Sequence, residues 1–319
     1  MKISVLGCGR WGSFIGWYLV NNGHKVIQWG RKDSPSFTVL KENGKNEYVE
    51  LDERITLTDD LKYAVTNSDI IIISISAQGL RAFMSQVNKY DVKSKIFVLC
   101  MKGIEIDTGK RLSEVMIECG IAPDKIAVWV GPGHIQEFVK GHPNCMLIDS
   151  VNKELVKYLA DGLRGKLIRF YYGDDIIGSE IGAAAKNVMG IAAGMLDGGG
   201  YTTLKGALMA RGAREVARLI KAMGGNELSA YGLCHLGDYE TTLFSPFSNN
   251  RKFGEKFVKN EPFEKLAEGV STAKAMKALG ERYNVDLPIT NEVCSIIYEG
   301  KEPMKAFLNL FSRSTRKEF

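Results

Sequence analysis

The sequence of 319 residues lacks the features that mark metal-binding and disulfide-bonded proteins. Its six cysteines stand apart, at positions 8, 100, 119, 145, 234 and 294. They form no Cys-x-x-Cys pair and no Cys/His spacing of the kind that binds zinc. We therefore predict no metal site, and we expect the cysteines to be free thiols in a reducing compartment.

Membrane and nucleic-acid signals are also missing. The chain enters an apolar strand pattern directly after Met1, without the apolar core and cleavage site of a signal peptide. The most apolar stretches, residues 70–75 and 188–196, are too short to span a bilayer. We predict a cytoplasmic protein with no membrane insertion. The formal net charge of +5 comes without an arginine-rich tract, so we expect no nucleic-acid partner. The charge would suit an anionic substrate or cofactor, and a solvated surface explains it equally well.

What the sequence does contain begins with a glycine fingerprint. An apolar run over residues 2–6 predicts a buried strand, and Gly7, Gly9 and Gly12 follow it as Gly-x-Gly-x-x-Gly before a helical pattern. A second strand is predicted over residues 25–29. This order is typical of dinucleotide-binding folds, where the first glycine allows a tight turn, the second lets the pyrophosphate approach, and the third lets helix and strand pack closely.

The residues at the end of the second strand should determine the preference for NAD or NADP. Arg31 and Lys32 stand there, and two cations suit the 2′-phosphate of NADP. Asp33 keeps NAD possible, and the alternative for the two cations is that they are only solvated loop charges. We expect NADP or NAD, with NADPH slightly favoured.

The α/β alternation continues to about residue 173. Further strands are predicted over residues 55–57, 70–75, 96–99, 126–130, 145–148 and 167–171. Ligands gather at the carboxyl ends of parallel strands, so Lys102 and the turn from Gly131 to Gly133 should lie on a binding rim. A surface charge and an ordinary turn are the alternatives.

Strand patterns then give way to helical ones. Helices are predicted over residues 176–196, 204–223, 263–283, 290–298 and 303–311. We therefore predict an α/β protein, with a Rossmann-type, mainly parallel sheet domain over residues 1–173 and an all-α domain over residues 174–319.

The segment from Glu180 to Asp197 consists of small and apolar residues around one cation, Lys186. We predict a buried helix, on which a lysine would lose water and become suited to proton transfer. The alternative is an exposed lysine on an ordinary amphipathic helix.

These motifs, taken over the whole chain, resemble the bacterial NAD(P)-dependent glycerol-3-phosphate dehydrogenases. The matching stretches are GCGRWG, MKGIE, GPGHIQEF, EIGAAAKNVMGIAAGMLDG, KGALMARG, GLCHLGDYETTLFSPFSNNRKFG, AEGVSTAKAM and YEGKEPMKAF. The resemblance implies reduction of dihydroxyacetone phosphate to sn-glycerol 3-phosphate, a precursor of phospholipids. A lysine ammonium beside the substrate oxygen would stabilise its charge and supply the proton.

The motifs and the resemblance together give expected roles for individual residues. The expected catalytic residues are Lys186, Lys102, Asp238 and Asn187. The expected cofactor-binding residues are Gly7, Gly9, Arg10, Trp11, Gly12, Arg31, Lys32, Lys102, Ile135, Asn249 and Glu268. The expected substrate-binding residues are Lys102, Gly131, Gly133, Lys186, Asp238, Ser248, Asn249, Asn250 and Arg251.

Two positions depart from the family pattern. The family usually has Ser-Arg-Asn-Arg where this chain has Ser-Asn-Asn-Arg from Ser248, and Gly-Pro-Ser where it has Gly-Pro-Gly from Gly131. Either other cations such as Arg251 or Lys205 hold the substrate phosphate, or the substrate is a different small oxo acid or phospho-ketone. A non-catalytic NADPH sensor is a third interpretation. The apolar helices in the second domain would form the interface of a homodimer or pack only within the core of the domain.

Overall fold

The structure is a computed structural model, and it describes residues 1–315 and 317–318. Contacts divide the chain into two compact units: Met1–Lys102 with Lys110–Glu180, and Gly103–Gly109 with Ile181–Phe319. We describe each unit by itself. The domain boundary predicted near residue 173 stays a prediction.

The first unit contains an eight-stranded sheet. Its strands are β1 (Lys2–Leu6), β2 (Lys25–Trp29), β3 (Thr56–Thr58), β4 (Ile70–Ile73), β5 (Ile96–Leu99), β6 (Ile126–Val130), β7 (Asn144–Asp149) and β8 (Ile168–Tyr172). They lie in the order β3-β2-β1-β4-β5-β6-β7-β8, and only the pair β6–β7 is antiparallel. Buried parallel strands read as continuous apolar runs, as β4 does with four isoleucines. The predicted mainly parallel sheet is confirmed.

Seven helices accompany this sheet. They are α1 (Arg10–Asn21), α2 (Pro35–Asn43), α3 (Leu61–Thr66), α4 (Leu80–Val87), α5 (Leu112–Glu118), α6 (Ile135–Phe138) and α7 (Lys153–Leu163). Several begin at a side-chain cap: Ser34 accepts from the amide of Phe37, and Asp60 accepts from that of Tyr63. Buried apolar side chains from the strands and from α1, α6 and α7 form a hydrophobic core in this unit.

The regular structure of the second unit, in its described residues 181–315, consists of helices. They are α8 (Ile176–Gly198), which begins before the dividing residue, and α9 (Lys205–Ala222), α10 (Asn249–Val258), α11 (Glu268–Arg282), α12 (Pro288–Glu299) and α13 (Pro303–Phe311). One prediction is wrong at its start: residues 263–267, expected to be helical, precede α11. Phe263 instead packs its ring against Phe253 of α10, at 6.0 Å between centroids.

Within the described residues, no helix is long and apolar enough to cross a membrane. The same residues contain no group of three or more His, Cys, Asp or Glu side chains that could hold a metal ion.

Candidate active site

The glycine fingerprint forms the turn between β1 and α1. Gly7 has φ +131°, and a Cβ atom there would lie 2.1 Å from the carbonyl oxygen of Ser74. A Cβ atom on Gly12 would lie 2.0 Å from the carbonyl oxygen of Gly7. The first glycine therefore makes the turn possible and the third lets helix and turn touch, as the sequence predicted.

The second glycine differs from the other two. A Cβ atom on Gly9 would meet nothing within 4 Å, and Gly9 is the N-cap of α1. The strand order reverses between β1 and β4, which is the place where open α/β sheets bind ligands. Open space at a helix N-terminus suits the pyrophosphate of a dinucleotide, so the residues present fit this cofactor.

The charged residues that were predicted to select the cofactor follow β2 closely. Arg31 and Lys32 are exposed just beyond the carboxyl end of β2, and so is Asp33. Trp29, the last residue of β2, is buried and packs its ring 5.3 Å from that of Phe83. The strand end is thus fixed by packing while the charged side chains stay accessible.

Three further residues expected near the cofactor lie in or beside α1 and α6. Arg10 donates to Oε1 of Gln136 at 3.1 Å, and the Trp11 ring lies 5.1 Å from that of Phe14. Ile135 is only 1% exposed and belongs to the core. The Ile135 side chain therefore cannot line a cofactor surface, and only its backbone is available for that role.

Lys102 links the segments that follow β5 and β6 by a hydrogen bond. Its Nζ donates to the carbonyl oxygen of Gly131 at 2.6 Å, and Gly131 has φ +126°. A Cβ atom on Gly133 would lie 2.4 Å from the ring of Phe138. The glycine that replaces the family's usual serine is therefore explained by packing, because the Phe138 ring fills the space that a side chain would need.

Lys186 lies in a row of glycines along α8. Residues 182, 190, 194 and 198 are all glycine, so Lys186 completes a row with four-residue spacing, which forms one ridge of a helix. A Cβ atom at Gly194 would lie 1.9 Å from the carbonyl oxygen of Arg251 on α10. Because glycine has no side chain, neighbouring backbone packs closely against this ridge. Lys186 is therefore buried and only 8% exposed. The predicted buried helix is confirmed.

The Lys186 ammonium has two anchors in the segment before α10. Its Nζ lies 2.9 Å from Oδ2 of Asp238, which is 1% exposed, and donates to Oγ1 of Thr242 at 2.8 Å. Thr241 also donates to Asp238. The sequence predicted the lysine and the aspartate but missed Thr242. Its place four residues after Asp238, one helical turn away, was the available signal.

A histidine and a tyrosine lie on either side of this aspartate in the sequence. His235 and Tyr239 are both 0% exposed, and the His235 Nδ1 lies 2.9 Å from the carbonyl oxygen of Gly182. A carbonyl oxygen only accepts, so Nδ1 carries the proton, and Nε2 accepts from the Tyr239 hydroxyl at 2.6 Å. Burial lowers the pKa of His235 to about 4, with the charge of Lys186 acting in the same direction. The imidazole is therefore neutral near pH 7.

Asn187, next to Lys186, belongs to an amide pair. Its Oδ1 accepts from Nδ2 of Asn250 at 3.0 Å, and Oδ1 of Asn250 accepts from the amide of Gly269 at 2.9 Å. Asn250 thus joins α8 to the beginning of α11. Glu268, expected near the nicotinamide, is the first residue of α11 and directly precedes the bonded glycine.

The cations suggested for the substrate phosphate are engaged elsewhere. Asp197 pairs with Nζ of Lys205 at 2.7 Å and with Nη1 of Arg251 at 2.5 Å, and Arg251 also pairs with Glu255. Although burial opposes it, hydrogen bonds from Lys205 and Arg251 hold the pKa of Asp197 below its usual value. These two cations are therefore compensated within the unit.

The start of α10 is better suited to an anion. Ser248 is its N-cap and accepts from the amide of Arg251 at 3.3 Å. Asn249 follows as the first helical residue, and its side chain donates to the carbonyl oxygen of Leu266 at 3.3 Å.

The strand order, the glycine turn and the helical second unit define a class: dehydrogenases that combine a Rossmann-type sheet for a nicotinamide dinucleotide with an all-helical region. The chain belongs, within this class, to the family of NAD-dependent glycerol-3-phosphate dehydrogenases. The model of the family's N-terminal part matches residues 2–156, and that of its C-terminal part matches residues 175–308.

Individual relatives agree with this assignment. The chain is 34% identical over 328 residues to a glycerol-3-phosphate dehydrogenase (NAD(P)+) of Thermoanaerobacter sp. (strain X514), covering 100% of this chain and 99% of that protein. It is 35% identical over 331 residues to the protein of the same name in Chlorobium phaeobacteroides (strain BS1), with the same two coverages. A solved glycerol-3-phosphate dehydrogenase from Coxiella burnetii superposes with a TM-score of 0.89 at 27% identity, covering 98% of this chain and 99% of the other.

Proposed function

We propose that this protein catalyses the NAD(P)H-dependent reduction of dihydroxyacetone phosphate to sn-glycerol 3-phosphate, the backbone precursor of glycerophospholipids. The observation that carries the proposal is the buried ion pair of Lys186 and Asp238 at 2.9 Å, in a chain of this family. A buried ammonium that is held in place, rather than free in solvent, is suited to bind the oxygen on which charge develops.

The bound nicotinamide would supply the hydride that reduces the carbonyl carbon. Lys186 would place its ammonium at the substrate oxygen, stabilise the negative charge that forms there, and give up a proton. Asp238 and Thr242 hold the ammonium in this position. The neutral amine would take the proton back when the reaction runs toward oxidation.

Binding of the substrate would use the remaining polar groups. In the second unit, Asn187 is oriented by Asn250. In the first unit, Lys102 is the cation that the family resemblance assigns to the substrate, and it donates to Gly131. The first turn of α10, at Ser248 and Asn249, offers a helix N-terminus to the phosphate.

A steady-state assay tests this function directly. Purified protein is mixed with dihydroxyacetone phosphate and either NADPH or NADH, and cofactor oxidation is followed at 340 nm. Turnover with at least one cofactor is the expected result. Folded protein that binds NADPH but turns over no ketone would reject the proposal and support the sensor interpretation.

We propose that Arg31 and Lys32 bind the 2′-phosphate of NADPH, because both are exposed at the carboxyl end of β2. The double variant Arg31→Ala/Lys32→Ala should raise KM for NADPH about tenfold or more, while KM for NADH changes less than about twofold. The matched control is Lys89→Ala/Lys93→Ala, which removes two exposed cations before the amino end of β5. Equal effects on both cofactors would contradict the assignment.

A second candidate substrate is favoured by one observation. Asn249 stands where the family usually has arginine, and Lys205 and Arg251 are already paired with Asp197. A related ketone that needs fewer phosphate contacts is then the alternative. A panel of dihydroxyacetone phosphate, unphosphorylated dihydroxyacetone and small 2-oxo acids separates the two candidates.

Asn249→Arg sharpens this comparison. If the natural substrate carries phosphate, the variant should raise kcat/KM for dihydroxyacetone phosphate and leave that for dihydroxyacetone unchanged. A fall in kcat/KM for both ketones would favour a substrate without phosphate.

Assembly into a homodimer and a cytoplasmic location remain predictions. Light scattering on the eluting protein during gel filtration measures the mass, and about twice the 35.3 kDa of one chain is the expected value.

A further inference from the structure

The pair His235 and Tyr239 lies beside the proposed catalytic groups but takes no part in the mechanism above. His235 precedes Asp238 by three residues, and the amide of Asp238 donates to the carbonyl oxygen of His235 at 3.0 Å. Tyr239 directly follows Asp238. The two side chains therefore flank the carboxylate in sequence and are joined to each other by a hydrogen bond of 2.6 Å.

The other end of this chain of hydrogen bonds reaches the lysine. His235 donates from Nδ1 to the carbonyl oxygen of Gly182 on α8. In an α-helix this carbonyl accepts the amide of the residue four positions later, which is Lys186. The carbonyl oxygen of Gly182 thus accepts from both the His235 ring and the backbone amide of Lys186. Asp238, which pairs with Lys186, lies in the same chain segment as His235.

Glycines make this contact possible. A Cβ atom at Gly182 would lie 3.0 Å from Cβ of His235 and 2.9 Å from Sγ of Cys234, and one at Gly212 on α9 would lie 3.1 Å from the Tyr239 hydroxyl oxygen. Burial keeps the ring neutral and raises the pKa of the Tyr239 hydroxyl well above its usual value. The direction of both hydrogen bonds is therefore fixed at neutral pH.

We propose that His235 and Tyr239 are positioning residues that fix the register between the backbone of α8 at Lys186 and the segment carrying Asp238, and so set the geometry of the Lys186–Asp238 pair. The expected changes in rate rest on the proposed function, whereas the positioning role itself does not. Reacting groups displaced by about 1 Å lose on the order of 10²-fold in rate, so a partial loosening should cost less than that.

The first test is Tyr239→Phe, which removes one hydroxyl and keeps the ring. We expect kcat for dihydroxyacetone phosphate to fall about tenfold, with KM changed less than about twofold. In the oxidising direction, the pH at which the rate reaches half its plateau should move downward, because a looser carboxylate favours the ammonium less. The matched control is Tyr18→Phe, which removes a hydroxyl with a buried hydrogen bond of 2.8 Å to Leu163 in the first unit. It should lower thermal stability without moving the pH profile.

The second test is His235→Asn. The amide nitrogen of asparagine can replace Nδ1 as donor to Gly182, but the side chain cannot reach Tyr239 as Nε2 does. This variant should therefore resemble Tyr239→Phe, and the double variant should be no worse than either single one. Additive losses would show that the two side chains do not act through one network.

A third measurement does not depend on turnover. Amide hydrogen exchange at Lys186 should be faster in Tyr239→Phe than in the wild type and unchanged in Tyr18→Phe. If the wild-type protein reduces no ketone, the proposed function fails while this exchange result still supports or refutes the positioning role. Unchanged exchange at Lys186 together with an unchanged pH profile would overturn the proposal.

Discussion

Replacing Lys186 by methionine separates the chemical role of the ammonium from its structural role. Methionine keeps the length and most of the volume of the buried stem, so the ridge of α8 should stay packed. General acid–base catalysis by a positioned side chain contributes on the order of 10²–10⁴-fold. We therefore expect kcat for dihydroxyacetone phosphate to fall by that factor, which corresponds to about 2.7–5.5 kcal/mol of transition-state stabilisation.

The same change leaves Asp238, 1% exposed, without the ammonium 2.9 Å away. An uncompensated buried charge costs on the order of 3–5 kcal/mol, so the free energy of unfolding should fall by a similar amount. Adding Asp238→Asn removes the orphaned charge. We expect the double variant Lys186→Met/Asp238→Asn to regain most of the stability and none of the rate.

The assays are steady-state kinetics, urea unfolding, and NADPH binding followed by its fluorescence. The dissociation constant for NADPH should stay within about threefold of the wild type, since Lys186 is assigned to the substrate. The control is Lys301→Met, which breaks a partly buried ion pair with Glu292 elsewhere in the second unit. A Lys186→Met protein that keeps a third or more of the wild-type kcat would refute the assignment, as would a double variant whose rate recovers along with its stability.

Three further predictions concern stability. Burial raises the pKa of Asp149 from 3.8 to about 6, so the folded chain keeps a proton that the unfolded chain releases. The free energy of unfolding should therefore fall by roughly 3 kcal/mol as pH rises from about 4 to about 6. Urea unfolding of Asp149→Asn at several pH values should show no such fall. Gly194→Ala should lower the free energy of unfolding by about 1–3 kcal/mol, because the new Cβ atom would lie 1.9 Å from the backbone of α10. The control Gly206→Ala, in open space, should raise it slightly. Equal melting temperatures of the two variants would contradict this. Gly133→Ser should lower the melting temperature less in a Phe138→Val background than in the wild type, and an additive double variant would disprove the packing explanation.

The sequence predicted those parts of the fold whose signal is local. Buried parallel strands such as β4 are continuous apolar runs, and the fingerprint from Gly7 to Gly12 carries its own turn geometry. Small residues around Lys186 likewise indicated a buried helix. Each of these features is visible within one short stretch of residues.

Features that depend on distant partners were not visible. Phe263 looked like part of a helical face, but its ring packs on Phe253 of α10 and α11 begins only at Glu268. The cations at positions 205 and 251 looked available for phosphate until Asp197 was found between them. The glycine at 133 looked like a change in the substrate site, and only the position of the Phe138 ring explains it.

The glycine row on α8 also bears on how this enzyme can be altered. Gly190 faces Thr242 and Asn250, Gly194 faces the backbone of α10, and Gly198 faces it again one turn later. A saturation library along this ridge should therefore yield almost only inactive clones, whatever the selection. If the first turn of α10 binds the substrate phosphate as we propose, attempts to broaden the range of ketones should start at Asn249, which still has a side chain to exchange.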